Sequence, residues 1–200
     1  MPATLSIARL GAALLTFALM ATSAFAQATD RLGVPGPIDF EGEAFVLAWS
    51  SQPSKTYIKQ EYLPADQSAE RYDQMVLVET VTSGIAVMDA VRAQVDMLKQ
   101  RKATDPLVNM EVIQNEAAGE ALLDFIVSSK DANGQYIVEW NAYRYARYSD
   151  AGGNRGVMLL GVSRRAYGND AAKSLLTQLK GLRPGRIKTL TQVRLPRPAP

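Results

Sequence analysis

Alternating apolar and polar positions divide most of the chain into strands. EAFVLAWSS, from Glu43, is rich in strand formers between Phe45 and Trp49. In TYIKQEYLP, residues Tyr57, Lys59, Glu61 and Leu63 alternate with Ile58, Gln60 and Tyr62, the period-2 repeat of a strand with one wetter face. Pro53-Ser54 marks the turn between the two and Pro64 ends the second. ADQSAERYDQ is a polar loop or short helix, and MVLVETVT reads as a third strand. The period then changes. Met88, Val91, Val95 and Leu98 follow 3-4-3 spacing and line one helix face. Ser83 is placed to cap a helix starting near Gly84, and Asp105-Pro106 stops it. Arg92, Lys99, Arg101 and Lys102 crowd its C-terminal half, where they complement the helix dipole.

The second half predicts a meander. VNMEVIQNE and EALLDFIVSSK are strands, the latter alternating at Leu123, Phe125 and Val127 against Asp124 and Ser128. Asp131-Ala132-Asn133-Gly134 signals a hairpin, since Asn-Gly accepts positive φ. The long aromatic strand QYIVEWNAYRYARYS follows, then the turn SDAGGNRG and the returning strand VMLLGVSRRAY. That last strand is nearly continuously apolar up to Val162, which places it centrally with both faces covered. Asp170 is placed to cap a second helix with Leu175, Leu176, Leu179 and Leu182 as its stripe, ended by Gly181 and Pro184. The order β-β-β-α-β-β-β-β-α predicts an α+β domain over 43–182: a largely antiparallel sheet of about six to seven strands with two main helices packed on it. Residues 27–42, with Pro35, Gly36 and Pro37, read as an extended lead-in.

The N-terminus changes the picture by giving a location. Arg9 and the amino terminus form a small positive region, and Leu10–Met20 is an apolar run of eleven residues. Ala24-Phe25-Ala26 then fits small-x-small cleavage, with Gln27 as the new N-terminus. The run is shorter than the roughly 20 residues that span a bilayer. Residues 1–26 are therefore expected to be a signal peptide, and the mature protein to be periplasmic or secreted, with no transmembrane segment after cleavage. A lipid anchor needs a cysteine at the cleavage point, where Gln27 stands.

Composition narrows the chemistry. The chain has no histidine, which removes Ser-His-Asp triads, Cys-His dyads and the usual zinc sites. It has no cysteine, so an exported form holds its core without disulfides. The full chain carries a net charge of +2, too near neutrality for a general nucleic-acid binder. Charge is unevenly placed. The tail 183–200 has five basic residues, no acidic ones, and Pro184, Pro196, Pro198 and Pro200; it is expected to be flexible and at most to touch an anionic surface weakly. Nothing in the chain points to a cofactor or a resident metal.

Several constellations invite chemistry. Asp39, Glu41 and Glu43 alternate as a hard-cation site would require, or as an acidic segment that guards a sheet edge. The Asp131–Gly134 segment lacks the later ligands of a calcium loop, with Gln135 and Ala142 where oxygens are needed. Gly152-Gly153-Asn154-Arg155-Gly156 could cradle a phosphate, but reads more simply as a hairpin turn. Asp124 and Glu139 lie on neighbouring strands, as a carboxylate pair for hydrolysis would, although a wet face also accounts for them. In the aromatic strand, Tyr143 and Tyr145 share one face and Trp140, Arg144 and Tyr148 the other, with Arg147 beside them. Interleaved aromatic and arginine side chains bind sugars, peptides or nucleic acid, or else form a cross-strand ladder with arginine stems packed over it. Trp140, Tyr143, Arg144, Tyr145, Arg147 and Tyr148 are the candidate binding face.

YIKQEYLPADQSAERYDQMVLVETV sets Glu-Tyr-Leu-Pro and a polar spacer between two strands, followed by a long helix, an Asn-Gly hairpin meander and a final helix. In this the chain resembles small exported proteobacterial proteins of unknown function, and its element order is similar to the PsbP/Mog-like α+β sandwich over about 43–182. That resemblance implies an accessory or binding protein and carries over no site residue. The reading is thus a non-enzymatic binding or accessory protein of the cell envelope, with an envelope protein as partner. A carboxylate-based hydrolase, or a subunit of an envelope or secretion assembly, are the alternatives.

Overall fold

Strands form at Ile38–Phe40 (β1), Glu43–Ser54 (β2), Tyr57–Leu63 (β3), Gln74–Val81 (β4), Asn109–Asn115 (β5), Glu120–Lys130 (β6), Tyr136–Ser149 (β7) and Arg155–Tyr167 (β8). Two helices join them, Val87–Arg101 (α1) and Asn169–Gln192 (α2). The computed structural model describes residues 28–196, so the expected leader with Ala24, Ala26 and Gln27 lies outside the described residues. All eight strands belong to one antiparallel sheet in the order β1-β2-β3-β4-β8-β7-β6-β5. β8 and β7 therefore lie inside the sheet, as the apolar run in β8 requires.

Strand alternation sorts the core into two layers. On one face Leu77, Leu123, Tyr145 and Leu159 pack with Val91 and Leu98 of α1. On the other Val78, Leu122, Trp140 and Leu160 pack with Leu175, Leu179 and Leu190 of α2. The two helices thus cover opposite faces of the sheet. α1 also solves a connection problem. It carries the chain from β4, inside the sheet, across β8, β7 and β6 to the far edge at β5. Four strand spacings are about 19 Å, and its 15 residues extend about 22 Å, so one helix spans the gap.

This architecture corrects four expectations. The six-to-seven-strand PsbP/Mog-like sandwich is replaced by a single curled sheet of eight strands with one helix against each face. The additional strand is β1, in the segment read as a lead-in. At three residues beside Pro37 it is too short for alternation to register. The lead-in is also buried: Leu32, Val34 and Phe40 are in the α2-side core. The fully buried Gln60 carboxamide oxygen accepts Leu32 N–H at 3.0 Å, and Tyr62 Oη donates to the Val34 carbonyl at 2.6 Å.

The third correction is the tail. α2 runs through Pro184 to Gln192, and Leu190 is fully buried. Opposite charge binds this segment to the body. Arg183 reaches Asp124 at 2.6 Å and Arg186 reaches Glu41 at 3.2 Å. Arg144 of β7 donates to the carbonyls of Leu190 and Val193 at 3.2 and 2.7 Å, satisfying acceptors that a helix end leaves open. These contacts offset the hydrogen bond that Pro184 cannot make. Helix α1 also begins later than expected, with Ala86 rather than Ser83 at its N-cap and no side-chain cap.

Candidate functional site

The β5–β6 turn, the β7–β8 turn and the first turn of α1 converge at one end of the sheet. They enclose an open cleft of about 620 Å³. β7 supplies Arg147 and Tyr148, and the start of β8 supplies Arg155 and Gly156. The segment Gly84–Met88 forms the opposite wall. Gly84 N–H donates to the Arg155 carbonyl at 2.8 Å, which ties the start of α1 to β8. Gly156 makes the approach of β4 possible, since a Cβ there would lie 1.8 Å from the Val81 carbonyl oxygen. Gly119, at φ +67°, turns the β5–β6 connection beneath Arg147. A Cβ on it would sit 2.8 Å from that guanidinium.

The electrostatics of the cleft are set by what is already paired. Glu120 on its wall is held by Arg144, which donates from Nε at 2.9 Å and Nη2 at 2.8 Å. Arg147 and Arg155 make no salt bridge among the described residues, and both side chains are exposed. Glu116, also exposed, is the remaining carboxylate on the wall. The uncapped first turn of α1 turns backbone N–H groups to the same end, where the dipole favours negative charge. A second cleft, of about 660 Å³, shares Arg147, Tyr148 and Ser149 and is bounded by Arg194 beyond α2. Burial, and then Asp150, raise the Tyr148 phenol above its ordinary value, so it remains a neutral hydrogen-bonding group. Two unpaired guanidiniums beside a helix start suit a small anion.

The six residues of the predicted binding face do not form one surface. Their alternation is as expected, with Tyr143 and Tyr145 toward α1 and Trp140 and Tyr148 toward α2. Both faces, however, are covered by helices. Trp140 is fully buried and Tyr145 nearly so. Tyr143 stacks edge-on against Phe125 with centroids 4.9 Å apart, and Arg144 is spent on Glu120 and the end of α2. Arg147 reaches the open cleft beside α1, and Tyr148, on the α2 face, borders both clefts. Arg155 belongs to the glycine-rich segment weighed above as a phosphate cradle; its meeting with the α1 start was not visible along the chain, because the β4–β8 register, Val81 opposite Val157, brings them together.

The other candidates resolve into structural parts. Asp124 and Glu139 lie on opposite faces of the sheet and cannot share a substrate. Asp124 faces α2, nearly fully buried, and accepts from Trp140 Nε1 at 2.6 Å. Glu139 faces α1, accepts from Tyr72 Oη at 2.8 Å and pairs with Arg165. Neither is on a wet face. Glu79, whose carboxyl burial raises above its ordinary value, accepts from Tyr57 Oη at 2.9 Å. Asp39, Glu41 and Glu43 diverge: Asp39 accepts from Gly42 N–H, Glu41 pairs with Arg186, and Glu43 accepts from Gln74. Asp131 closes its hairpin, accepting Gln135 N–H at 2.8 Å, and Gly152–Gly156 turns β7 into β8 while its Arg155 and Gly156 line the cleft.

A protein-family model matches residues 32–195, from the buried lead-in to the segment just after α2. The match covers most of the 200 residues, and the chain belongs to that family, which is uncharacterised. Neither the curated proteins nor the solved structures contain a match to the chain.

Proposed function

We propose that this is an exported, soluble, non-enzymatic binding protein of the cell envelope, and that it takes a small anionic ligand in the cleft between Arg147, Arg155 and the start of α1. The observation that carries this reading is the pair of exposed guanidiniums left without carboxylate partners on one open cleft, beside an uncapped helix start. An anion of phosphate or carboxylate type would accept from both guanidiniums and from the first-turn N–H groups of α1. Each charge-assisted bond of this kind contributes about 1.5–3 kcal/mol. The expected leader, with cleavage before Gln27, supports placing the protein in the periplasm or medium.

Calorimetric titration with inorganic phosphate and with a short dicarboxylate tests the ligand class. Saturable binding that Arg147→Gln and Arg155→Gln each weaken by about tenfold or more supports the reading. No saturable heat with either anion, or binding indifferent to both substitutions, overturns it. Cell fractionation with N-terminal sequencing tests export independently: an envelope or medium fraction beginning at Gln27 is expected, and an uncleaved cytoplasmic chain would refute it.

A further inference from the structure

The sheet has two edges, and they are built differently. β1 has three residues, is flanked by Pro37, carries Asp39 with Glu41 just beyond it, and pairs only with Glu43–Phe45; the rest of that edge is Val46–Ser54 of β2, which is broken by two register shifts and Pro53. Shortness, proline and acidic residues are devices that discourage another strand from pairing there. β5, at the other edge, has seven residues, NMEVIQN, with no proline and no lysine. Its register with β6 runs from Asn109 opposite Ile126 to Asn115 opposite Glu120 without a bulge. Six of its seven residues are exposed, including Val112 and Ile113 at 36% and 43%. An edge this regular presents a row of free backbone N–H and C=O groups.

We propose that β5 pairs antiparallel with β5 of a second copy of this chain, joining two sheets into one across a twofold axis at Val112. The charge pattern selects this occupant. A twofold axis perpendicular to the sheet keeps each face aligned with its own kind, so that residue pairs across the axis share a face. Centred on Val112, that register engages the whole strand. Val112 meets the partner's Val112, and Met110 meets the partner's Gln114. Ile113 meets the partner's Glu111, and Asn109 meets the partner's Asn115. Glu111 is the sole charge in the strand, and here it faces an apolar side chain rather than its own copy. Shifting the axis to Glu111 would oppose the two carboxylates directly, which is unfavourable.

Sedimentation equilibrium of the full chain, with circular dichroism to verify folding, reads the proposal. Wild type is expected to move from 21.8 kDa toward twice that mass as concentration rises. Val112→Lys brings two ammonium groups together at the axis and is expected to leave a monomer. Position 113 tests the register. Ile113→Lys faces the partner's Glu111 and retains the dimer, while Ile113→Glu opposes like charges and weakens it by about tenfold or more relative to Ile113→Lys. Val46→Lys, at an exposed residue on β2 remote from this edge, serves as the surface control and is expected to leave the dimer unchanged. A wild-type monomer up to millimolar concentration overturns the proposal. A dimer insensitive to Val112→Lys does so too, as does equal behaviour of the two Ile113 variants.

Discussion

Truncating Arg183 probes the junction on which the α2-side core depends. Asp124 is 1% exposed, and its carboxylate accepts from Trp140 Nε1 at 2.6 Å and from Arg183 Nε at 2.9 Å and Nη2 at 2.6 Å. Arg183→Ala leaves that carboxylate buried with the indole as its remaining donor. Removing one member of a buried ion pair costs about 3–5 kcal/mol. The Arg183 side chain is 26% exposed, so water can enter where it was, and the low end applies: about 3 kcal/mol. Asp124→Asn keeps an acceptor for the indole and frees Arg183 to turn to solvent, so it should cost less, about 1–2 kcal/mol. Replacing the pair together, Asp124→Leu with Arg183→Met, removes the uncompensated charge but leaves the buried Trp140 Nε1–H without its acceptor, so it should still cost about 1–3 kcal/mol. Urea unfolding, followed by circular dichroism and by the fluorescence of the buried Trp140, measures all three. If Arg183→Ala lies within about 0.5 kcal/mol of wild type, the pair does not hold α2 to the sheet.

Three further perturbations test other parts of the account. Leu190→Ala should destabilise by about 2–5 kcal/mol, because Leu190 is fully buried in the α2-side core; a neutral result in urea unfolding would mean that the chain beyond Pro184 is not docked. Gly156→Ala should cost about 3 kcal/mol or more, since its Cβ would meet the Val81 backbone at 1.8 Å; a variant as stable as wild type would refute the close approach of β4 and β8. Burial pushes the Asp105 carboxyl up, but donors from Ser128, Arg101 and Leu107 outweigh it and hold it below its ordinary value. The stability it contributes is therefore complete above the unfolded value of about 3.9 and is lost as pH falls through the lower folded value. Asp105→Asn should flatten that acid limb in urea titrations below about pH 4, and an unaltered limb would contradict the assignment.

Seven strands and the apolar stripes of both helices lie where their periodicity places them, because each is long enough for alternation or 3.6-residue spacing to accumulate, while the start of α1 and the end of α2 do not. β1 escaped for the opposite reason. Its three residues carry no period, and the burial of Leu32 and Val34 depends on Gln60 and Tyr62, nearly thirty residues away. The basic tail was misread because its prolines suggested disorder, while the carboxylates that bind Arg183 and Arg186 sit on β6 and in the β1–β2 turn. Composition held half of that answer, since the tail has five basic residues and no acidic one, while residues 27–182 carry 16 basic and 20 acidic residues. The face parity of Tyr143, Tyr145, Trp140 and Tyr148 was legible in the strand, but their burial was not, because it requires knowing that a helix lies on each side. Arg147 could be singled out as charge beside aromatic rings. Its meeting with Arg155 and the α1 start is a product of strand order alone.

The most direct test of the anion cleft is a nuclear magnetic resonance titration of the full chain with inorganic phosphate, following arginine Nε–H and backbone amide signals. Arg147, Arg155 and the Val87 and Met88 amides are expected to shift together along one saturating curve, while the exposed Arg71 on the β3–β4 connection stays put. Small, unsaturated shifts spread over Arg71 and the other surface arginines alike would contradict it.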